Sequence, residues 1–248
     1  MTAAGGASGP AALGLSGPLP AAGAAADCPS CLRPGGLELT ERLVALAGLR
    51  PATAALDVGC GAGATVALLT DRFGLRVTGV DASDAQVRRA RAARPDLEFV
   101  CGRAEALPFA AGAFDAALCE CVLSTVGERG RVLAETARVL APNGVLLLSD
   151  LYVREGTEET PAGALPSLGR RERVEDLLGA AGFVVETWSD QTGVLARYLW
   201  EVAGSPPARA ASPRSGEALG ERAQLDRPRP RRLGYFAVVA RLRAQGTA

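Results

Sequence analysis

A carboxylate lies between two thiols in the segment LCECVLS, where Cys119 and Cys121 flank Glu120 at the predicted end of a buried strand. Ligands of α/β sheets bind outside such strand ends, so these three residues are candidate catalytic residues. Residues two apart in a strand face the same side, which predicts that the thiols are neighbours and that Glu120 points elsewhere. Paired thiols suit a soft metal, a metalloid or a redox disulfide, and they equally suit simple packing, because cysteine behaves as a small hydrophobe.

A second thiol pair occurs near the amino terminus in CPSC, where Cys28 and Cys31 have the two-residue spacing of metal sites and redox pairs. A fold that brings this segment back to the sheet would place both thiol pairs at the entrance of one site. Four thiolates would suit zinc, and three would suit a trivalent metalloid such as arsenite. We predict no metal site from the sequence and keep these four cysteines as candidate ligands.

The chain contains no His, and all 27 of its basic residues are Arg. These absences exclude an imidazole base, a His metal ligand, a Schiff-base lysine and a phosphate-loop lysine. Catalysis must then use a cofactor, a carboxylate, a tyrosine, a thiol or positioning alone, and the non-thiol candidate bases are Glu120, Asp150 and Tyr152. The 27 acidic residues balance the basic ones, so no basic surplus indicates a nucleic-acid partner.

A glycine-rich turn follows a predicted strand in LDVGCGAGATVALL. Gly59, Gly61 and Gly63 allow a sharp turn and a close approach of a ligand to the backbone. These glycines alone also fit a dinucleotide-binding turn. Asp57 distinguishes the two ligands, because a carboxylate would repel a pyrophosphate but attract the ammonium of an aminoacyl group. Asp81 ends the next strand and is placed to accept hydrogen bonds from a ribose, so the ligand that fits is S-adenosylmethionine.

Apolar runs alternate with helical patterns along the chain, which predicts βαβ units and a parallel sheet covered on both faces. We expect an α/β fold with a Rossmann-like, doubly wound, mostly parallel seven-stranded sheet. Hydrophobic residues make up 48% of the chain but aromatic residues only 4%, so the predicted core is aliphatic. The predicted strands span 54–59, 76–81, 97–102, 114–120, 144–150, 184–188 and 234–244, and the predicted helices follow RPGG and span 65–73, 83–93, 129–140 and 173–183.

Over about residues 37–150 the sequence resembles the class I S-adenosylmethionine-dependent methyltransferases, a set that includes quinone, small-molecule and arsenite methylating enzymes. The resemblance lies in LDVGCGAG, VTGVDAS, AEALPFAAGAFDAAL and RVLAPNGVLLLSD, in that order. It implies that the glycine turn lines the methionine moiety, that Asp81 holds the ribose, and that Cys119 lies beneath the reactive methyl group. The full set of implied cofactor-binding residues is Asp57, Gly59, Cys60, Gly61, Gly63, Asp81, Ala82, Ala104, Glu105 and Cys119.

One position departs from the family pattern, because Arg103 stands where the family often has an Asp that accepts from the adenine amino group. Either Glu105 or a backbone carbonyl takes that role, or the adenine is held more loosely. The resemblance implies methyl transfer to a small-molecule acceptor, and the lack of His favours a thiol, selenium or metalloid nucleophile that needs no base. Two alternatives stay open: a methyltransferase-like domain that binds metal or a partner through its cysteines without turnover, and an NAD(P)-dependent oxidoreductase.

Composition also predicts the organisation of the chain. Residues 1–26 are rich in Ala, Gly and Pro and are expected to be a disordered tail, and residues 27–248 to form one methyltransferase domain with a flexible insertion at 204–232. No basic region precedes the apolar residues of the tail and no apolar run is long enough to span a bilayer, so we expect a cytoplasmic protein without a membrane partner. The sequence leaves the oligomeric state open.

Overall fold

The computed structural model describes residues 33–154, 167–202 and 233–244. Within these ranges the chain forms seven strands and six α-helices. The strands are β1 (Ala54–Val58), β2 (Arg76–Asp81), β3 (Glu98–Cys101), β4 (Phe114–Glu120), β5 (Leu140–Val153), β6 (Phe183–Asp190) and β7 (Leu233–Leu242). The helices are α1 (Gly36–Ala47), α2 (Ala64–Phe73), α3 (Asp84–Ala93), α4 (Arg129–Val139), α5 (Arg171–Ala180) and α6 (Thr192–Val202).

The strands form one sheet in the order β3-β2-β1-β4-β5-β7-β6. Strands β1 to β5 pair in parallel, whereas β7 runs antiparallel to both of its neighbours, β5 and β6. The predicted doubly wound, mostly parallel seven-stranded sheet is confirmed. The chain order reverses its direction across the sheet between β1 and β4, and ligands of such sheets bind outside the carboxyl ends of the strands at that point.

Each face of the sheet carries its own hydrophobic cluster. Helices α1, α2, α3 and α6 cover what we call the first face, and α4 and α5 cover the second face. Alternation along the central strands divides the side chains between them, so that Leu147 packs on the first face while Leu146 and Leu148 pack on the second. Both clusters are mainly aliphatic, as the composition predicts.

Local sequence signals mark several element boundaries. Ser83 caps α3 by accepting a hydrogen bond from the Gln86 amide, and Gly48 ends α1 in the left-handed conformation. At Gly59 the backbone has φ of 75°, and a Cβ there would lie 2.4 Å from a Val122 methyl carbon, so the turn requires glycine.

Two elements differ from the prediction. Strand β5 begins at Leu140, before the predicted residue 144, and helix α6 was not predicted at all. The predicted tail 1–26, the insertion 204–232 and the CPSC cysteines lie outside the described residues. No helix in the described part of the chain is both long and apolar enough to cross a membrane.

Candidate active site

The glycine turn connects β1 to α2 and is hydrogen-bonded to the carboxyl end of β2. The amides of Gly59 and Cys60 donate to the Val80 carbonyl at 2.7 and 3.0 Å, which folds the turn back over β2. The Gly61 amide donates to the Asp81 carboxylate at 2.9 Å. The predicted methionine-binding turn and the predicted ribose-binding residue are therefore in direct contact.

Asp57 is a buried carboxylate on the first face, and its Oδ2 atom has no hydrogen-bond partner. Burial raises its pKa to about 8, the negative charge of Glu120 adds to that rise, and the positive charge of Arg33 opposes it. A buried polar atom without a partner is costly, and an incoming ammonium would supply the missing donor and the missing charge. The buried oxygen and the positive-φ glycines of the turn fit the aminoacyl end of S-adenosylmethionine.

The predicted adenine-edge residues lie around the ends of β2 and β3. The Cys101 thiol is 3.9 Å from the Ala82 carbonyl oxygen. Arg103 is exposed, and its guanidinium donates to the Glu105 carboxylate at 3.1 Å. Arg103 is thus paired with Glu105, next to Ala104.

Glu120 ends β4 and lies buried on the first face, beneath α1. The Thr40 hydroxyl donates to its Oε2 atom at 2.9 Å, and the Arg33 guanidinium forms an ion pair with the same atom at 2.8 Å. The same Arg33 nitrogen lies 2.6 Å from the Thr40 hydroxyl and 3.0 Å from the Thr65 hydroxyl at the start of α2. Glu120 is therefore held directly by Arg33 and Thr40, and Arg33 in turn contacts Thr65 of α2.

Sequence reasoning missed Arg33 and Thr40 as site residues. One signal was available, because Thr40 is a polar residue on the apolar side of α1, three and four positions before Leu43 and Val44. No comparable signal marks Arg33, which lies before the helix and meets Glu120 only after folding.

The two candidate thiols lie on opposite faces of the sheet, so the prediction that they are neighbours is wrong. Cys119 is buried within the second-face cluster, and Cys121 packs against the first-face cluster. Strand β4 ends at Glu120 and Cys121 takes a left-handed backbone with φ of 56°, so the strand alternation does not extend to it. Glu120 and Cys121, rather than the two thiols, share the first face.

Both thiols are poor thiolate sources at neutral pH. Burial raises the pKa of Cys119 well above its usual value, and burial together with the Asp150 charge raises the pKa of Cys121 to about 12. Burial likewise raises the pKa of Cys60, and its thiol contacts only the turn and the core. Cys60 and Cys119 therefore have a structural role in packing.

Cys121 belongs to a short polar chain that leads to Glu120. Its Sγ atom is 3.0 Å from the Tyr235 hydroxyl, which is 3.0 Å from the Ser149 hydroxyl, and that hydroxyl makes a longer contact of 3.5 Å with Glu120. The Ser149 hydroxyl donates to Glu120, and in each of the two 3.0 Å contacts either atom can be the donor. Neither Tyr235 nor Ser149 carried a sequence signal, because the antiparallel pairing of β7 with β5 brings them together.

Asp150 and Tyr152, two of the predicted bases, belong to the second face. Asp150 is fully buried and accepts from the backbone amides of Ser124 and Leu151 at 2.9 and 2.7 Å, so it caps the short 3-10 helix Leu123–Thr125. Tyr152 packs edge-to-face against aromatic rings of β6 and β7. Neither side chain lies beside Asp57 and Glu120.

The described residues contain no group of three or more His, Cys, Asp or Glu side chains that could hold a metal ion. The four candidate ligands Cys28, Cys31, Cys119 and Cys121 stay untested as a set, because the first two lie outside the described ranges. Cys119 on the second face is poorly placed to join Cys121 in such a site.

Comparisons with known proteins agree with this geometry. Residues 56–148 match the family model described as a methyltransferase domain. The chain is 32% identical to a demethylmenaquinone methyltransferase from Renibacterium salmoninarum over 64% of this chain and 69% of that relative. The chain therefore belongs to the class I S-adenosylmethionine-dependent methyltransferases, and its cofactor is S-adenosylmethionine.

Solved structures show the same fold. A phosphoethanolamine N-methyltransferase 2 from Haemonchus contortus in complex with S-adenosyl-L-methionine superposes with a TM-score of 0.68, at 18% identity, over 87% of this chain and 54% of that one. The [4+2]-cyclase SpnF superposes with a TM-score of 0.66, at 22% identity, over 84% and 81% of the two chains. Because one of these neighbours is a cyclase, the fold alone does not define the acceptor, and the site must be argued from its own residues.

Proposed function

We propose that this methyltransferase acts on a small-molecule acceptor whose nucleophile is soft or already ionised, such as a thiolate, a selenolate or a trivalent metalloid. One observation carries the proposal: Asp57 is taken up by the ammonium of the cofactor, and the other ionisable side chains described around Glu120 on the first face are poorly suited to remove a proton. Glu120 is engaged by Arg33 and Thr40, and the pKa values of Cys121 and Tyr235 are both raised by burial.

Methyl transfer to such a nucleophile needs no base. The cofactor, when bound, supplies a sulfonium methyl group. A lone pair of the acceptor forms the new bond to the methyl carbon as the carbon–sulfur bond breaks, and that bonding pair stays on the cofactor sulfur. Since an ionised acceptor releases no proton, the protein contributes mainly by positioning and by excluding water.

Cys121 is the thiol best placed to meet an acceptor. It is partly exposed, and it follows the end of β4 directly. Burial raises the pKa of Tyr198 of α6, and the charge of nearby Cys121 adds to that rise. We propose that Cys121 and α6 form the acceptor side of the site.

A quinone-type acceptor is the second candidate. The relative named demethylmenaquinone methyltransferase, at 32% identity, favours it. The nicotinamide alternative is wrong, because the chain belongs to the methyltransferase family.

The test supplies the purified protein and S-adenosylmethionine with arsenite, hydrogen selenide, 2-mercaptoethanol or a demethylated naphthoquinol, under a phosphine reductant. S-adenosylhomocysteine and methylated product are quantified by mass spectrometry. We expect turnover with at least one soft acceptor, at a rate that follows the ionised fraction of that acceptor. Cys121→Ser should lower this rate by about tenfold.

Turnover of the naphthoquinol alone would overturn the soft-acceptor proposal in favour of the second candidate. Binding of S-adenosylhomocysteine without turnover on any acceptor in the panel would also contradict it and would favour a chain that binds the cofactor without methylating these acceptors.

A further inference from the structure

We propose that Arg33 binds the carboxylate of the cofactor's aminoacyl group and that Glu120 is the positioning residue that holds Arg33 there. The inference rests on the cofactor that the family shows and is independent of the acceptor proposed above. It also gives Glu120 a role on the cofactor side of the site instead of the catalytic role predicted from the sequence.

Arg33 occupies the junction between three elements. One nitrogen of its guanidinium lies within 2.6 to 3.0 Å of oxygens from Thr40 on α1, Thr65 on α2 and Glu120 at the end of β4. Thr65 is the second residue of α2, and α2 begins directly after the glycine turn. The guanidinium is therefore fixed beside the turn that lines the aminoacyl group.

Charge complementarity points to the same place. The aminoacyl group carries an ammonium and a carboxylate on one carbon atom, so the residue that binds the carboxylate must lie close to the residue that binds the ammonium. The unpartnered Oδ2 of buried Asp57 fits the ammonium, and the positive charge of Arg33 acts on Asp57 directly. The chain has no Lys or His, so a cation for the carboxylate must be an Arg, whose planar fork matches a carboxylate.

Glu120 keeps this guanidinium in place. Its carboxylate is buried, accepts from the Thr40 hydroxyl at 2.9 Å and pairs with Arg33 at 2.8 Å, so the arginine is anchored from behind. Without Arg33, Glu120 and Asp57 would leave two buried carboxylates whose charge repels the cofactor's own carboxylate. The carboxylate of Glu120 therefore serves the cofactor through Arg33.

The test compares S-adenosylhomocysteine with its decarboxylated analogue, which keeps the ammonium, by isothermal titration calorimetry without any acceptor. We expect the wild-type protein to prefer the carboxylated ligand by about tenfold or more. Arg33→Met should abolish this preference, and Glu120→Gln should reduce it. Arg33→Lys should restore part of it, because lysine keeps the charge but not the fork.

Arg72→Met is the matched control. Arg72 also joins α2 to α1 through an ion pair, with Glu41, but it is exposed, so its loss should leave both affinities unchanged. An equal loss of affinity for both ligands in Arg33→Met would indicate a purely structural role and overturn the proposal. A wild-type protein that binds both ligands equally would overturn it even if the variants did not fold. Because no acceptor is present, failure of the soft-acceptor proposal would leave these results unaffected.

Discussion

At the scale of single residues, Asp57 is the side chain of the site that most needs a positively charged hydrogen-bond donor. It is buried at the end of β1, one of its oxygens has no partner, and the burial raises its pKa to about 8. In the ligand-free protein the carboxyl group is therefore protonated over most of the neutral range. The ammonium of the cofactor requires the ionised form, so cofactor binding and proton release are coupled at this one side chain.

We expect the affinity for S-adenosylhomocysteine to rise by up to about tenfold per pH unit between about pH 6 and about pH 8, with release of close to one proton. Asp57→Asn should abolish the proton release and lower the affinity at pH 8 by about 10- to 100-fold, because a charged hydrogen bond is lost. Calorimetry in two buffers of different ionisation enthalpy measures both effects. Equal proton release by the two proteins would assign the titration to another group.

The same pKa shift predicts how stability depends on pH. The pKa of Asp57 in the folded, ligand-free protein lies above its usual value of 3.8, so the folded state binds more protons than the unfolded chain between that value and about 8. The stabilising contribution is complete below pH 3.8 and is lost as the pH rises through about 8. Thermal unfolding of Asp57→Asn should lack this decline.

At the scale of elements, the connection from β1 to α2 combines a backbone requirement with a binding requirement. Gly61 has φ of 53°, and a Cβ at this position would meet no atom of the protein within 4 Å. The open space lies where the cofactor approaches the turn. Gly112, just before β4, is the matched control position. Its φ is 68°, and a Cβ there would have its nearest neighbouring atom at 4.0 Å, but Gly112 lies at the amino end of the strand.

Gly61→Ala and Gly112→Ala should therefore destabilise the protein by similar amounts, about 1 to 2 kcal/mol each, because both force alanine into the left-handed region. Melting temperatures should fall by about 2 to 8 °C in both variants. Only Gly61→Ala should weaken S-adenosylhomocysteine binding, by about tenfold or more, since its methyl group enters the ligand's space. Loss of binding in both variants would trace the effect to general destabilisation instead.

At the scale of the whole molecule, the first face of the sheet gathers the site. Helix α1 supplies Thr40, the turn before α2 surrounds Asp57, and α6 brings Tyr198 near Cys121. The second face, under α4 and α5, holds Cys119 and Tyr152. Among the described residues, neither of these side chains hydrogen-bonds to Glu120. Binding and packing are thus divided between the two sides of one sheet.

Because Arg33 belongs to the first face, its position predicts which part of the amino-terminal segment is needed for cofactor binding. We expect deletion of residues 1–26, which are rich in Ala, Gly and Pro, to leave the affinity for S-adenosylhomocysteine within about twofold of the full chain. Deletion of residues 1–33 removes Arg33 and should weaken binding as Arg33→Met does. Calorimetry with a melting curve for each variant measures this, and a loss of binding in the shorter deletion would contradict the predicted boundary.

The sequence alone determined the parts of this protein that depend on neighbours along the chain. The glycine turn, Asp57, Asp81 and the Ser83 cap could be predicted because each requirement acts within a few residues of its own element. Alternating apolar periods likewise predicted all seven strands and most of the helices. Helix α6 was missed, although Asp190 and Gly193 mark the boundary between β6 and its apolar residues.

Only the tertiary structure decided how the site is assembled. Thr40 and Glu120 are 80 residues apart, and Cys121 and Tyr235 are 114 apart, so no local pattern relates them. The left-handed backbone at Cys121 separates it from Cys119, which strand periodicity alone would place beside it. Strand order and the packing of α1 on the first face bring these side chains together, because burial of apolar surface selects the whole arrangement at once.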